Sequence, residues 1–245
     1  MNTWIACVLS EHAKLRRTLA RGLSVTAPLC ALLLSLFVLG DVELLAVDRG
    51  VPPWRAYLDS LLRIWASVLL PIMATLQAVL LAQLEHGNRQ WKYLLTLPVP
   101  RATLYLGKTL NLFVLVALAH ALLLPMAMAA CVVTGLAEGN IGGMTMFLVQ
   151  QLAASCAAAW MLAAVQLLIA IMIESFVAAI SIGLLATLVA LLGASAMGSI
   201  SGYYPWSMPL HALKHPGAAW WIGVLFATAC IGWLGMVVLQ RMQVR

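Results

Sequence analysis

The sequence predicts an all-α polytopic membrane protein with six transmembrane helices. Of its 245 residues 64% are hydrophobic and 9% charged, with a mean hydropathy of +1.00, whereas about a quarter of an ordinary soluble domain is charged. Six stretches are apolar over the roughly 20 residues that a helix needs to cross the hydrocarbon core. Runs such as "ALLLSLFVL" and "LLIAIMI" do not alternate apolar with polar, as the strands of a membrane barrel must. Helices, which satisfy their own backbone in lipid, are the remaining solution.

Residues 1–22 come first. At 100° per residue, Ser10, Lys14, Arg17 and Arg21 stack on one side of a helix and Trp4, Val8, Leu15 and Leu19 on the other. Such a helix lies along the membrane surface, as a connecting element or as a plain basic anchor. The first apolar stretch, about 23–40, follows. Its basic leader is too long for a cleaved signal peptide and no small-residue cleavage pattern follows Gly40, so it is expected to stay as a membrane span.

The second stretch, about 64–84, ends in "QLEHGNRQWKYLLTLPVPR", residues 83–101. A helix over 88–97 places Trp91, Leu94 and Leu95 on one face and Arg89, Lys92 and Thr96 on the other. Pro98 ends it, because proline cannot donate to the preceding turn and disfavours helix in the residue before it. Arg101 and Lys108 then open the third stretch, about 110–133, where they are expected to stay at headgroup level. The segment reads as a short rod between two membrane helices with a charged face for a soluble partner, or as an ordinary basic loop.

The fourth stretch, about 144–173, is half as long again as one crossing requires and calls for tilt or an end outside the membrane. The fifth runs about 176–197 and the sixth about 218–239. Between them, Tyr203, Tyr204 and Trp206 suit the membrane interface, and Pro205, Pro209 and Pro216 cut the segment into pieces too short to cross. Short outer helices fit there, as does a loop with an aromatic belt. The whole chain reads as one transmembrane domain.

Charge sets the expected orientation. With the N-terminus inside, the inner segments carry 10 of the 14 Lys and Arg residues and the outer segments 4, so both termini are expected to be cytoplasmic. The net charge of +6 then reflects anchoring against anionic lipid and calls for no nucleic acid partner. The five cysteines form no CxxC pair and read as small packing residues.

Polar residues within the stretches are Gln77, His120, Gln150, Gln151 and Gln166. They either line a path or join helices by hydrogen bonds. Glu174 reads as a solvated turn residue. Two other classes compete with transport. An intramembrane serine protease of rhomboid type could use Ser195 in "GAS" with His211 or His215, although serine beside small residues is common in membrane helix packing. A non-transporting structural or receptor subunit would have no need of the bracketed rod at 88–97. The histidines show no HExxH or Cys/His spacing, so no metal site is expected.

An amphipathic basic N-terminus, an E-x-x-x-x-x-W element at Glu85 and Trp91, "LPVPR" and a lysine leading the third span resemble the permease subunits of ABC-2 type ABC transporters. The layout is most similar to small six-span permeases of the lantibiotic and bacteriocin self-immunity and bacitracin-resistance group. That resemblance implies an N-terminal connecting helix, a cytoplasmic coupling helix between spans 2 and 3, and short outer helices before span 6. It implies that Glu85 opens the coupling segment, Gly87 allows its turn, Trp91 seats it with Arg89 and Lys92 alongside, and Pro98 and Arg101 end it. Pro100 departs from the family pattern, which has a small polar residue there, and stiffens the exit. The resemblance further implies a bacterial inner-membrane exporter of two permeases, identical or sister chains, with two copies of an ABC ATP-binding subunit. No GxxxxGK[ST] cradle is present, so ATP and Mg are expected in the partner and no cofactor in this chain. A hydrophobic or amphipathic cargo, an antimicrobial peptide among the candidates, follows from the resemblance alone.

Overall fold

The computed structural model describes residues 10–15, 18–37, 39–86, 100–137, 140–193, 198–214 and 217–241. Every regular element among them is helical. Residues 10–15 form α1. Next come α2 (Leu19–Phe37), α3 (Leu39–Arg49), α4 (Pro53–Ile64), a wide π turn (Trp65–Leu69) and α5 (Leu70–His86). They are followed by α6 (Arg101–Val133), α7 (Ile141–Met172) and α8 (Phe176–Gly193), a 3-10 turn (Gly198–Tyr203), α9 (Met208–Ala212) and α10 (Ala218–Arg241). Among the described residues six helices are long and apolar enough to cross a membrane: α2, the continuous Pro53–His86 rod, α6, α7, α8 and α10. The all-α, six-span fold expected from the sequence is the one observed. The rod expected over 88–97 and the N-terminal face around Trp4 and Val8 lie outside the described residues, as do Ser195, His215 and Pro216.

Residues 41–63 carry four acids and three arginines and read as a connection, yet α3 and α4 occupy them. Pro53 starts α4 at the first helical position, where its missing N–H breaks no bond. The helix then turns Ala56, Tyr57, Leu58, Leu61 and Leu62 inward. Pro71 lies at the first turn of α5, and its ring would crowd the carbonyl four residues back. The wide turn at Trp65–Leu69 directly ahead of it makes room, and the rod continues.

Helix length and burial follow composition. In α2 the buried residues are Ala20, Ser24, Pro28, Ala31 and Ser35, a stripe of mostly small side chains at helical spacing that lets neighbouring backbones approach. In α8 only Ala179, Gly183, Thr187 and Ala190 are buried, and the rest of its apolar surface faces outward, as lipid permits. The most enclosed helix is α7, buried on several sides along its C-terminal half. At 32 residues it is about 48 Å long, more than one bilayer core needs. Its start is capped by Asn140, whose side chain accepts from the Gly143 N–H. Glycines set two close contacts. A Cβ at Gly183 would run into Thr75 Cγ2, and one at Gly235 into Tyr105 Cζ.

The hydrophobic core divides along the bundle axis. One cluster around Tyr57, Trp65, Leu123 and Leu148 joins α2, α4, α6 and α7 toward one end. Another around Leu15, Ala82, Tyr105, Leu167 and Leu239 fills the end where α1, the foot of α5 and the start of α6 meet. The second end holds the candidate site.

Candidate coupling site

At this end, four charges from three helices form a closed ring. Glu11 and Lys14 come from α1, Glu85 from the last turn of α5, and Lys108 from the third turn of α6. Lys14 Nζ lies 2.6 Å from Glu11 Oε1 and 3.1 Å from Glu85 Oε1. Lys108 Nζ lies 2.9 Å from Glu11 Oε2 and also pairs with Glu85 Oε2. Each ammonium therefore bridges both carboxylates, each carboxylate gives one oxygen to each lysine, and acid and base alternate around the ring. The formal charge sums to zero. The Glu85, Lys108 and Glu11 side chains are 0%, 1% and 5% exposed, and Lys14, at 31%, is the ring's one opening to solvent.

Sequence position alone would not put such charges in a core. Taking ions out of water costs several kcal/mol each, and only close partners on every side repay it. Here the sequence supplies them: Lys14 follows Glu11 by three residues, one helical turn, and Lys108 lies one turn ahead of Asn111 on a face that α1 covers. Burial alone would raise the Glu11 carboxyl, but Lys108 and Lys14 outweigh it and hold the group below its ordinary value of 4.5. Burial alone would lower Lys14, but Glu11 and Glu85 outweigh it and raise the group above its ordinary 10.5.

A second polar chain fastens α1 beside the ring. Arg21 Nη2 lies 3.5 Å from His12 Nε2, His12 Nδ1 lies 3.1 Å from Asn111 Oδ1, and Asn111 Nδ2 donates to the Gly107 carbonyl at 2.9 Å. With Arg21 donating to Nε2, the imidazole carries its proton on Nδ1 and donates it to Asn111 Oδ1. Leu15, 2% exposed, packs below.

Three side chains here stand otherwise than their places in the sequence suggest. Lys108 is enclosed by protein and does not face solvent or headgroups, because two carboxylates meet it. Lys14, placed by the helix pattern on the basic side, points into the ring as well, and Leu19, placed on the apolar side with Leu15, is 77% exposed and opens α2. Glu11 was not singled out in the sequence. The signal was available in an acid one turn ahead of a lysine, within an otherwise basic segment.

Both ends of the segment that leaves this site are tied down. On the exit of α5, Gln83 Nε2 donates to the Glu174 carbonyl at 3.1 Å, and His86 Nε2 lies 3.2 Å from the Ala170 carbonyl. On the entry to α6, Arg101 Nη1 donates to the Gln240 carbonyl at the end of α10, at 2.9 Å. Glu85 and Arg101 thus stand on the fixed flanks of residues 87–99. Gly87, Arg89, Trp91, Lys92 and Pro98 belong to that segment and lie outside the described residues.

The family described as ABC-2 family transporter protein matches residues 7–190. The chain belongs to the ABC-2 transporter family. No curated protein and no solved structure matches it. As an ABC-2 permease it is a multi-pass membrane subunit of an ABC transporter, a transport chain rather than a catalytic one, and membership implies association with an ABC ATPase subunit. The matched range includes all four members of the ring.

The polar residues within the permease's spans are spread along the bundle. Gln77 Nε2 donates to the Ala20 carbonyl at 3.1 Å and to Ser24 Oγ at 2.9 Å, linking α5 to α2. His120 Nε2 accepts from Trp65 Nε1 at 3.2 Å and His120 Nδ1 meets the Val116 carbonyl at 2.8 Å, linking the π turn to α6. Gln166 Nε2 donates to the Ala179 carbonyl at 3.0 Å, linking α7 to α8. Gln151 is buried on α7 and Gln150 is exposed. Glu174 is exposed between α7 and α8. His211, named with Ser195 in the protease reading, packs its ring on Trp220 with 5.3 Å between centroids.

Proposed function

We propose that this chain is the permease of an ATP-driven exporter in a bacterial inner membrane, with both termini cytoplasmic, and that residues 87–99 form its coupling segment. ATP and Mg bind in the partner ATPase subunits, two per assembly, which act on two permeases, identical or sister chains. ATP binding closes the ATPase pair. The closure pushes on the segment around Trp91 and on α1, and the permeases shift between inward-facing and outward-facing populations. The cargo is hydrophobic or amphipathic, and an antimicrobial peptide expelled from the membrane, giving immunity or resistance, fits the apolar bundle.

One observation carries this reading. The segment 87–99 springs from a buried ring of ions that also grips α1, so a load on either element is delivered to α5 and α6 together. A side chain pinned by four mutually satisfied charges transmits displacement where a solvated loop would absorb it. The inner-face excess of Lys and Arg supports the orientation.

The reading is tested by placing a photo-crosslinking amino acid at Trp91 in membranes that hold the assembled transporter. Capture of the ATPase subunit is expected. Labelling of Trp91 from the outer side of sealed cells, or capture of no nucleotide-hydrolysing partner, would end the proposal.

A further inference from the structure

At the end of the Pro53–His86 rod remote from the ion ring lies a cavity of about 210 Å³ between α4, α7 and the stretch after α9. Arg63 and Lys214 stand on its lining with Asp59 and Gln151, and Leu62 and Leu213 supply apolar wall. Arg63 and Lys214 come from segments far apart in the sequence, are both exposed, and have no carboxylate within ion-pair distance among the described residues. Asp59 and Gln151 each have an interaction of their own.

Depth identifies the chemistry. Arg63 precedes Glu85 by 22 residues on one rod, about 33 Å at 1.5 Å per residue. The hydrocarbon core is about 30 Å thick. With Glu85 at one membrane surface, Arg63 falls at the headgroup layer of the other. Tyr203, 66% exposed, precedes α9 in the same region, as a residue of an interfacial belt does. The cavity is smaller than the roughly 300–1,000 Å³ typical of drug-sized ligands. It opens where a lipid headgroup would be, with apolar wall beside two cations.

We propose that this cavity is a phospholipid site, in which Arg63 and Lys214 hold the headgroup phosphodiester in the leaflet opposite the ion ring and the leucine wall receives the start of the acyl chains. The assignment depends on membrane depth and not on the coupling role of residues 87–99. Two cations converging on one oxyanion from separate elements make charge-assisted hydrogen bonds that a lone basic anchor does not.

The test uses the full chain purified with its partner subunits. It is titrated with short-chain phosphatidylethanolamine, with the matching diacylglycerol and with inorganic phosphate, and read by native mass spectrometry and thermal midpoint. Phosphatidylethanolamine is neutral overall, so its binding does not report bulk charge attraction. Retention of one phospholipid per permease is expected, with binding weakened at least about tenfold in R63Q/K214Q and unchanged in R55Q. Arg55 lies on the same helix but stacks over the Phe147 ring at 5.1 Å, which makes R55Q the control for lost surface charge. Diacylglycerol binding as well as the phospholipid, inorganic phosphate giving the full effect, or R63Q/K214Q binding like the parent would each overturn the site.

Discussion

The Lys108 ammonium pairs with the Glu85 carboxylate from 23 residues further along the chain, and the two side chains are 1% and 0% exposed. Everything between them except the residues at each foot belongs to the proposed coupling segment, so the pair closes that segment at its base. Lys14 and Glu11 complete the ring from the N-terminal side.

Alternation around the ring makes an unusual prediction about charge exchange. In an isolated ion pair, swapping acid and base preserves attraction. Here the E85K/K108E exchange sets the introduced ammonium against Lys14 and the introduced carboxylate against Glu11, so the swap is expected to be worse than neutral. Inverting all four positions restores alternation and is expected to recover part of the stability. Glu85→Gln alone leaves a buried ammonium short of a partner and is expected to cost about 3–5 kcal/mol. Thermal unfolding of the parent and these three variants in detergent checks the order, and a swap as stable as the parent counts against the ring.

The ring also fixes a pH window. Glu11 has a folded-state value below its ordinary 4.5, so its contribution is complete above about pH 4.5 and is lost as pH falls through the lowered value. Lys14 has a folded-state value above its ordinary 10.5, so its contribution is complete below about pH 10.5 and is lost as pH rises through the raised value. Stability from these two groups is therefore level between the two limits. The alkaline edge is expected to be the shallower, because Lys14 is 31% exposed and screened by solvent. Midpoints measured against pH for the parent and Glu11→Gln check this, with the variant expected to lose the acid edge.

Close contact at two glycines predicts paired substitutions. Gly183→Ala drives a methyl into Thr75 Cγ2 and is expected to destabilise by about 1–3 kcal/mol. Thr75→Ala removes the obstructing atoms, so the double variant is expected to recover most of that loss, and strict additivity in a double-mutant cycle would disprove the contact. Gly235→Ala against Tyr105 is expected to behave alike, loosening α10 from α6.

The Trp65 to His120 hydrogen bond predicts a one-sided penalty. Trp65→Phe keeps an aromatic ring but removes the donor and leaves the buried His120 Nε2 unsatisfied, for an expected loss of about 1–3 kcal/mol. Adding His120→Leu removes the orphaned acceptor and is expected to recover part of it. Denaturant unfolding of the single and double variants reads the difference.

Much of the bundle was legible because lipid forces long apolar runs to be helices, as in Phe176–Gly193 and Ala218–Arg241. Helices α3 and α4 were not, because Asp41, Asp48 and Asp59 break the apolar signal while an amphipathic face on α4 still packs inward. Glu85 entered the sequence reading only through the resemblance to ABC-2 permeases. Its partners were not legible, since Lys108 and Glu11 look like surface charges until three helices converge and each acid finds two bases. Burial of an ion is a property of the assembled neighbours, and no single window of sequence contains them.

ATP turnover by the reconstituted transporter, measured well below the unfolding midpoint of every variant, decides whether the ring transmits force. For Glu85→Gln in a fully assembled complex, turnover is expected to fall to the rate of the isolated ATPase subunits, and inversion of all four ring charges is expected to restore part of the difference. A folded, assembled Glu85→Gln transporter that hydrolyses ATP like its parent would contradict the coupling role of the ring.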